Sequence, residues 1–209
     1  MRFANLAGPA VVTAIIAGCG GSPSNPVAAP VNTTASQPLA AKEASPSATE
    51  VAVDIKSWEE IQSWVANQHG KVVVLDIWSN SCVECMREFP QFVNLHQELH
   101  ARVACASVNV DYYGGDADIG EEIKPRVLKF LSSRNASMQN FISSDADEDV
   151  FRNIDTASIP AAVVYDREGK VHTVFNNDEA AYGPSGFNYE EHIKPLVEQL
   201  LASEDASHP

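Results

Sequence analysis

Val72-Val73-Val74-Leu75-Asp76-Ile77-Trp78 runs through Ser79-Asn80-Ser81 into Cys82-Val83-Glu84-Cys85, directly ahead of a helix-like stretch. The valine-rich run from Lys71 to Trp78 is almost uninterrupted, as expected of a strand covered on both faces and so central in its sheet. After the cysteines, Met86, Phe89, Phe92, Val93, Leu95 and Leu99 recur at roughly helical intervals as far as His100, and Pro90 is expected to kink that helix. A strand aimed at a helix start places the first sulfur beside unsatisfied backbone N–H groups and the positive end of the helix dipole. Both favour thiolate, the attacking species, so the pair reads as a disulfide-exchange site. A two-residue gap lets the two sulfurs meet across one helical turn.

Two other readings compete at the cysteines, a structural disulfide and half of a zinc site. Zinc needs two further ligands, and Cys105 with the six scattered histidines forms no second ligand pair. Met86 in place of His after Cys85 also removes the C-x-x-C-H pattern of haem attachment. No metal and no cofactor beyond the dithiol itself is expected. Cys105, inside the apolar stretch Val103 to Val110, reads as a buried, inert small hydrophobe. Asp76 is different, because an ionised carboxylate inside an apolar strand is costly and a raised pKa is the usual escape, which suits proton transfer. A carboxylate simply hydrogen-bonded at the strand end is the alternative.

Outward from this centre the chain alternates strand and helix. Ser57-Trp58-Glu59-Glu60 has capping-box spacing, with Ile61, Trp64 and Val65 on one helical face and an end near Gly70. Arg102 to Val110 is β-like. Asp111 to Lys124 reads as a loop, and Pro125 opens a helix. Phe141-Ile142 suggests a short strand, and Asp147 is placed to cap a helix carrying Val150, Phe151 and Ile154. Ile159-Pro160 leads into a strand Ala161 to Tyr165, Asp166-Arg167-Glu168-Gly169 into a hairpin, and Lys170 to Phe175 into its partner. A last helix is expected from Tyr189 to Ala202, with Asn188 and Glu191 at its cap and Ile193, Leu196, Val197 and Leu200 inward. The order predicts an α/β fold, a mixed sheet with helices on both faces.

The ends of the chain carry a different message. Met1-Arg2, the mostly apolar stretch Leu6 to Ala17 and Gly18-Cys19 read as an export signal. Ile16-Ala17-Gly18-Cys19 resembles a bacterial lipobox, which implies a signal peptide over 1–18 and a lipid on Cys19; a simple cleaved secretion signal is the alternative. Residues 19–53 are rich in Ser, Pro, Ala and Thr with few large apolar groups, and so read as a disordered tether to the membrane. A domain is expected over 54–204. The 209 residues carry a net charge of −14, which argues against nucleic acid as a partner and reads as a solvated acidic surface.

The run Asp76-Ile77-Trp78-Ser79-Asn80-Ser81-Cys82-Val83-Glu84-Cys85 resembles the active-site strand and turn of the thioredoxin superfamily, and Cys85-Met86-Arg87-Glu88-Phe89-Pro90 its TlpA/ResA-type branch. Ile159-Pro160 resembles that superfamily's cis-proline. The resemblance implies a thioredoxin-like fold in which Cys82 attacks a substrate disulfide and Cys85 resolves the mixed disulfide. Asp76 matches the superfamily's buried acid, and Glu88 matches a branch glutamate near the cysteines, although a solvated surface acid explains Glu88 nearly as well. Trp78 is expected as a wall beneath the site or as plain core. Ile159 and Pro160 would hold an extended substrate strand. The implied protein is an exported, lipid-anchored thiol-disulfide oxidoreductase on the periplasmic face of a bacterial membrane. It would act on protein dithiols and disulfides, draw electrons from a membrane thiol donor, and serve in cytochrome c maturation. An oxidase or isomerase of the same fold, and a peptide-binding module without catalysis, stay open as alternatives.

Overall fold

The computed structural model describes residues 51–205. Over these, strands and helices alternate as β1 (Asp54–Lys56), α1 (Trp58–Ala66), β2 (Val72–Trp78), α2 (Val83–Leu99), β3 (Val103–Asn109), α3 (Lys124–Ser133), β4 (Gln139–Ser143), α4 (Asp147–Asn153), β5 (Ala161–Tyr165), β6 (Val171–Phe175) and α5 (Lys194–Asp205). The strands form one sheet in the order β1-β4-β3-β2-β5-β6. Its first four members are parallel, while β5 runs antiparallel to β2 and β6 antiparallel to β5. This is the mixed α/β sheet expected from the order of elements, in the thioredoxin-like arrangement that the resemblance implied.

Every residue of β2 is buried, which is why its sequence shows no polar alternation. Successive side chains go to opposite faces. Val72, Val74 and Trp78 join Phe89 and Phe92 of α2, Val127 and Leu131 of α3, and Val197 of α5 in one core. Val73, Leu75 and Ile77 join Trp58, Ile61 and Val65 of α1 and Val150 of α4 in the other. Burying each such large side chain contributes roughly 1.5–3 kcal/mol before entropy is charged against it. Asp76 belongs by parity to the α2 face, and there lies its interest.

Local chemistry sets the helix ends. Ser57 Oγ accepts from the Glu60 N–H while Glu60 Oε2 accepts from the Ser57 N–H, so the capping box forms. α1 closes at Asn67, whose side-chain amide donates to the Ser63 carbonyl at 2.8 Å, before the Gly70 end expected from sequence. α2 continues through Pro90 to Leu99. α3 and α5 are each entered through a wide π turn, Ile119–Ile123 and Tyr189–Ile193, each followed by a Lys-Pro pair. Pro125 and Pro195 have no N–H, and their rings crowd the carbonyl four residues back, so the preceding Lys N–H bonds five residues back instead. The expected loop up to Lys124 is therefore shorter, and the last helix starts as a π turn.

Two further expectations need correction. Asp147 is not the cap of α4; Ala146 is, because the Asp147 N–H is taken by the Tyr112 carbonyl and its carboxylate accepts from the Glu148 N–H. Residues 51–53, assigned to the tether, are packed: Val53 is buried in the core and the Ala52 carbonyl accepts from the buried Asn140 amide. The signal over 1–18, the lipid site Cys19 and the rest of the tether lie outside the described residues. Among the described residues no helix is long and apolar enough to cross a membrane.

Candidate active site

Cys82 is the N-cap of α2, with extended backbone (φ −91°, ψ 104°) and a sulfur that accepts from the Cys85 N–H at 3.1 Å. It is joined to Cys85 by a disulfide, with the Cα atoms 5.2 Å apart. Cys82 is half-buried and Cys85 is 3% exposed, so a partner arriving from solvent meets the first sulfur and not the second. Val83 and Glu84, between them, are exposed. Cys105 is buried on β3, and burial pushes its thiol far up, so it stays protonated.

The turn that delivers Cys82 is held from the neighbouring strand. Asp111, just past β3 and 4% exposed, accepts from Ser79 Oγ at 2.5 Å and from the Asn80 N–H at 3.1 Å, and pairs with Arg126 at 3.4 Å. Ser79 Oγ in turn accepts from the Ser81 N–H at 3.0 Å. Since β2 and β3 are parallel, the residues after both strands meet at the same sheet end.

On the same face of the sheet as the cysteines are two buried carboxyl groups. Asp76 is 5% exposed and accepts a short hydrogen bond from the Tyr189 hydroxyl. Burial raises its pKa to about 7 against the lowering effect of that bond, and the nearby Glu88 adds to the rise. Glu88, one turn after Cys85, is also buried; Oε1 accepts from Arg87 Nε at 3.1 Å and Oε2 has no partner. The reading of Glu88 as a solvated surface acid is thereby corrected. Trp78, expected as a wall beneath the site that would serve substrate binding or as plain core, is fully buried against Phe89 and Phe130, with ring centroids at 5.1 and 4.8 Å, and so presents no surface to a ligand. It is core.

The Ile159-Pro160 peptide bond is cis, at the entrance to β5, with Ile159 half-buried and Pro160 buried. The segment before it is clamped by Asp178, which accepts from Thr156 Oγ1, the Ala157 N–H and Ser158 Oγ at 2.9, 2.7 and 2.9 Å. Those bonds, the Ala157 N–H first, hold the Asp178 carboxyl below its ordinary range. A groove of about 630 Å³ opens beside the start of α2, lined by Glu84, Arg87 and Glu88 on one side and by Asn177, Gly186 and Asn188 on the other. Gly186 has φ +71°, and a Cβ there would lie 2.5 Å from Asn177 Nδ2, so only glycine lets the loop close.

An N-terminal-capping cysteine disulfide at the end of a central parallel strand, opposite a cis-proline, narrows the family. The profile of the Redoxin family matches residues 41–187. The chain belongs to the Redoxin family. This redoxin, with its dithiol pair on a thioredoxin-like fold, is a thioredoxin-like oxidoreductase. Similar solved structures include a putative thiol:disulfide interchange protein DsbE from Chlorobium tepidum (22% identity over 66% of this chain and 83% of that one, TM-score 0.46). Another is a secreted Mycobacterium tuberculosis disulfide oxidoreductase homologous to E. coli DsbE (23% identity, 66% and 85%, TM-score 0.45). A third is a putative thioredoxin from Neisseria meningitidis (15% identity, 68% and 81%, TM-score 0.49). No curated protein matches the redoxin in sequence.

Of the residues singled out from sequence, the structure gathers Cys82, Cys85, Asp76 and Glu88 on the α2 side of the sheet. Tyr189, Asp111 and Asp178 were missed. Tyr189 lies four residues before Ile193 and eight before Val197, in the π turn that leads into α5, and that spacing was its signal. Asp111 follows a buried strand parallel to β2, which places it at the reactive sheet end. Asp178 has no comparable sequence signal.

Proposed function

We propose that this protein is an exported, membrane-tethered thiol-disulfide oxidoreductase that reduces or exchanges disulfides in proteins outside the cytoplasm. The observation that carries the reading is the Cys82–Cys85 pair, the first half-buried and the second buried, on the same face of the sheet as a buried carboxyl with a pKa near 7. In the reduced protein, the Cys82 thiolate attacks one sulfur of a client disulfide, forming a mixed disulfide and expelling a client thiolate. Cys85 gives its proton to the Asp76 carboxylate and attacks Cys82 Sγ. The mixed disulfide breaks, the Cys82–Cys85 bond forms, and the second client thiolate leaves with the electron pair. Two electrons have passed to the client.

Glu88 keeps negative charge near this proton acceptor. The backbone of Ile159, presented by cis-Pro160, pairs with an extended client segment, and the groove beside α2 takes the residues that flank the client cysteine. The cycle needs no cofactor besides the dithiol. An external dithiol must reduce the pair again, and outside the cytoplasm a membrane thiol carrier fits that need. Cys19 as lipid anchor, with the Pro-rich tether behind it, keeps the domain near such a carrier, and the haem-attachment cysteines of cytochrome c are the proposed clients.

Trapping tests this. Cys85→Ser in the full chain leaves Cys82 covalently joined to its client, and mass spectrometry of the adducts should return exported proteins with paired cysteines. No adduct from Cys85→Ser, together with wild-type turnover of a disulfide substrate, overturns the assigned roles.

A further inference from the structure

Tyr189 and Asp76 are 113 residues apart in sequence. They meet because Asn188 caps the turn before α5, accepting from the Glu191 N–H at 2.8 Å, and because Pro195 forces that turn wide. Tyr189 is 1% exposed, and its ring packs on Phe92 with centroids 5.3 Å apart. Its hydroxyl therefore has no water to serve and is spent on one oxygen, Asp76 Oδ1. We propose that Tyr189 is a positioning residue for the thiol chemistry: by occupying Oδ1 it makes Oδ2 the oxygen that gains and loses the proton, and it holds the carboxylate form within reach of use at neutral pH. This rests on the proposed role of Asp76 as the proton acceptor for Cys85.

The surroundings of Asp76 leave Tyr189 as its one stabilising partner among the neighbouring groups of the described structure. α2 contributes Glu88, whose negative charge raises the Asp76 pKa, with the exposed Arg87 bound to Glu88 rather than to Asp76. β3 contributes Ser107 opposite Asp76 in the ladder, together with Cys105, a thiol that stays protonated. β5 contributes Ala162, which carries no charge. Burial pushes the tyrosine hydroxyl well above its usual range, with Asp76 adding to the rise, so Tyr189 remains a donor and never competes for the proton.

The proton passes from the Cys85 sulfur to Asp76 Oδ2, and the electron pair it leaves behind forms the bond to Cys82. Without the tyrosine hydroxyl the carboxylate loses a charge-assisted hydrogen bond, which moves its titration upward by about one pH unit. Near pH 7 the ionised fraction then falls about fivefold.

Reduced full-length protein mixed with an aromatic disulfide, 5,5′-dithiobis(2-nitrobenzoate), releases one chromophore when Cys82 attacks and a second when Cys85 resolves. In the wild type the second phase should rise with a midpoint near pH 7. Tyr189→Phe should move that midpoint up by about one unit, leave the first phase in place, and converge on the wild-type rate near pH 9. Asp76→Asn should remove the midpoint, and Asp76→Asn with Tyr189→Phe should equal Asp76→Asn alone. An unmoved midpoint in Tyr189→Phe, with or without loss of thermal stability, overturns the proposal. A second measurement needs no variant. The Tyr189 Cζ carbon-13 shift in the oxidised wild type should titrate with the Asp76 carboxyl carbon, and a Tyr189 signal flat across that range overturns it equally. A wild type that releases no second chromophore refutes the oxidoreductase reading instead, while the carbon-13 titration still decides the Tyr189–Asp76 coupling.

Discussion

Replacing Asp76 by Asn should make the protein more stable at pH 8 and leave it almost unchanged at pH 4. Asp76 has a carboxyl pKa of about 7 in the fold against 3.8 for the free side chain. Between these values the folded chain binds more protons than the unfolded chain, so stability falls as pH rises from about 4 to about 7. The shift of about 3 units corresponds to about 4 kcal/mol at pH 8 and to less than about 1 kcal/mol at pH 4. Asn is close in shape to the protonated acid and still offers an oxygen to the Tyr189 hydroxyl, so Asp76→Asn removes the ionisation cost and little else. Urea unfolding of the oxidised protein at the two pH values measures it, and at pH 8 the melting temperature should rise by roughly 10 °C. A gain equal at both pH values, or none at pH 8, would refute the assignment to this strand of a buried carboxyl whose ionised form the fold penalises.

Other perturbations test the surroundings of the cysteines. Asp111→Ala removes the acceptor of the Asn80 N–H and leaves the Ser79 hydroxyl only Ser81 as a partner, and should cost about 1–2 kcal/mol in urea unfolding; a loss below about 0.5 kcal/mol would mean the turn before Cys82 is not held from β3. Gly186→Ala demands a left-handed backbone and displaces Asn177, and should lower stability by about 1–2 kcal/mol, with an unchanged melting curve as the contrary result. Asp178→Ala should speed hydrogen exchange at the Ala157 amide by at least about tenfold and raise KM for a disulfide peptide more than it lowers kcat; unaltered exchange would show that the clamp before Pro160 is idle.

Much of this was legible in the chain because it is local. The uninterrupted Val72–Trp78 run announced a central strand, Ser57 with Glu60 announced a helix start, and the spacing of Cys82 and Cys85 announced the disulfide, since each depends on residues within a turn or a strand of one another. Asp76 stood out because it breaks an apolar pattern. What stayed hidden depends on distance. Glu88 faces a groove whose other wall is the distant loop 177–188, the hydroxyl that meets Asp76 comes from the far end of the domain, and the support of Cys82 comes from Asp111, 29 residues on. The two π turns were missed because a proline's effect on the turn before it resembles, in sequence, an ordinary helix start at Pro125 or Tyr189.

The reading of the site turns on which sulfur meets the partner. Reduced protein given less than one equivalent of iodoacetamide and then mapped by peptide mass spectrometry should carry the label on Cys82, with Cys85 and Cys105 unmodified. Label on Cys85 ahead of Cys82, or no label on either, would contradict it.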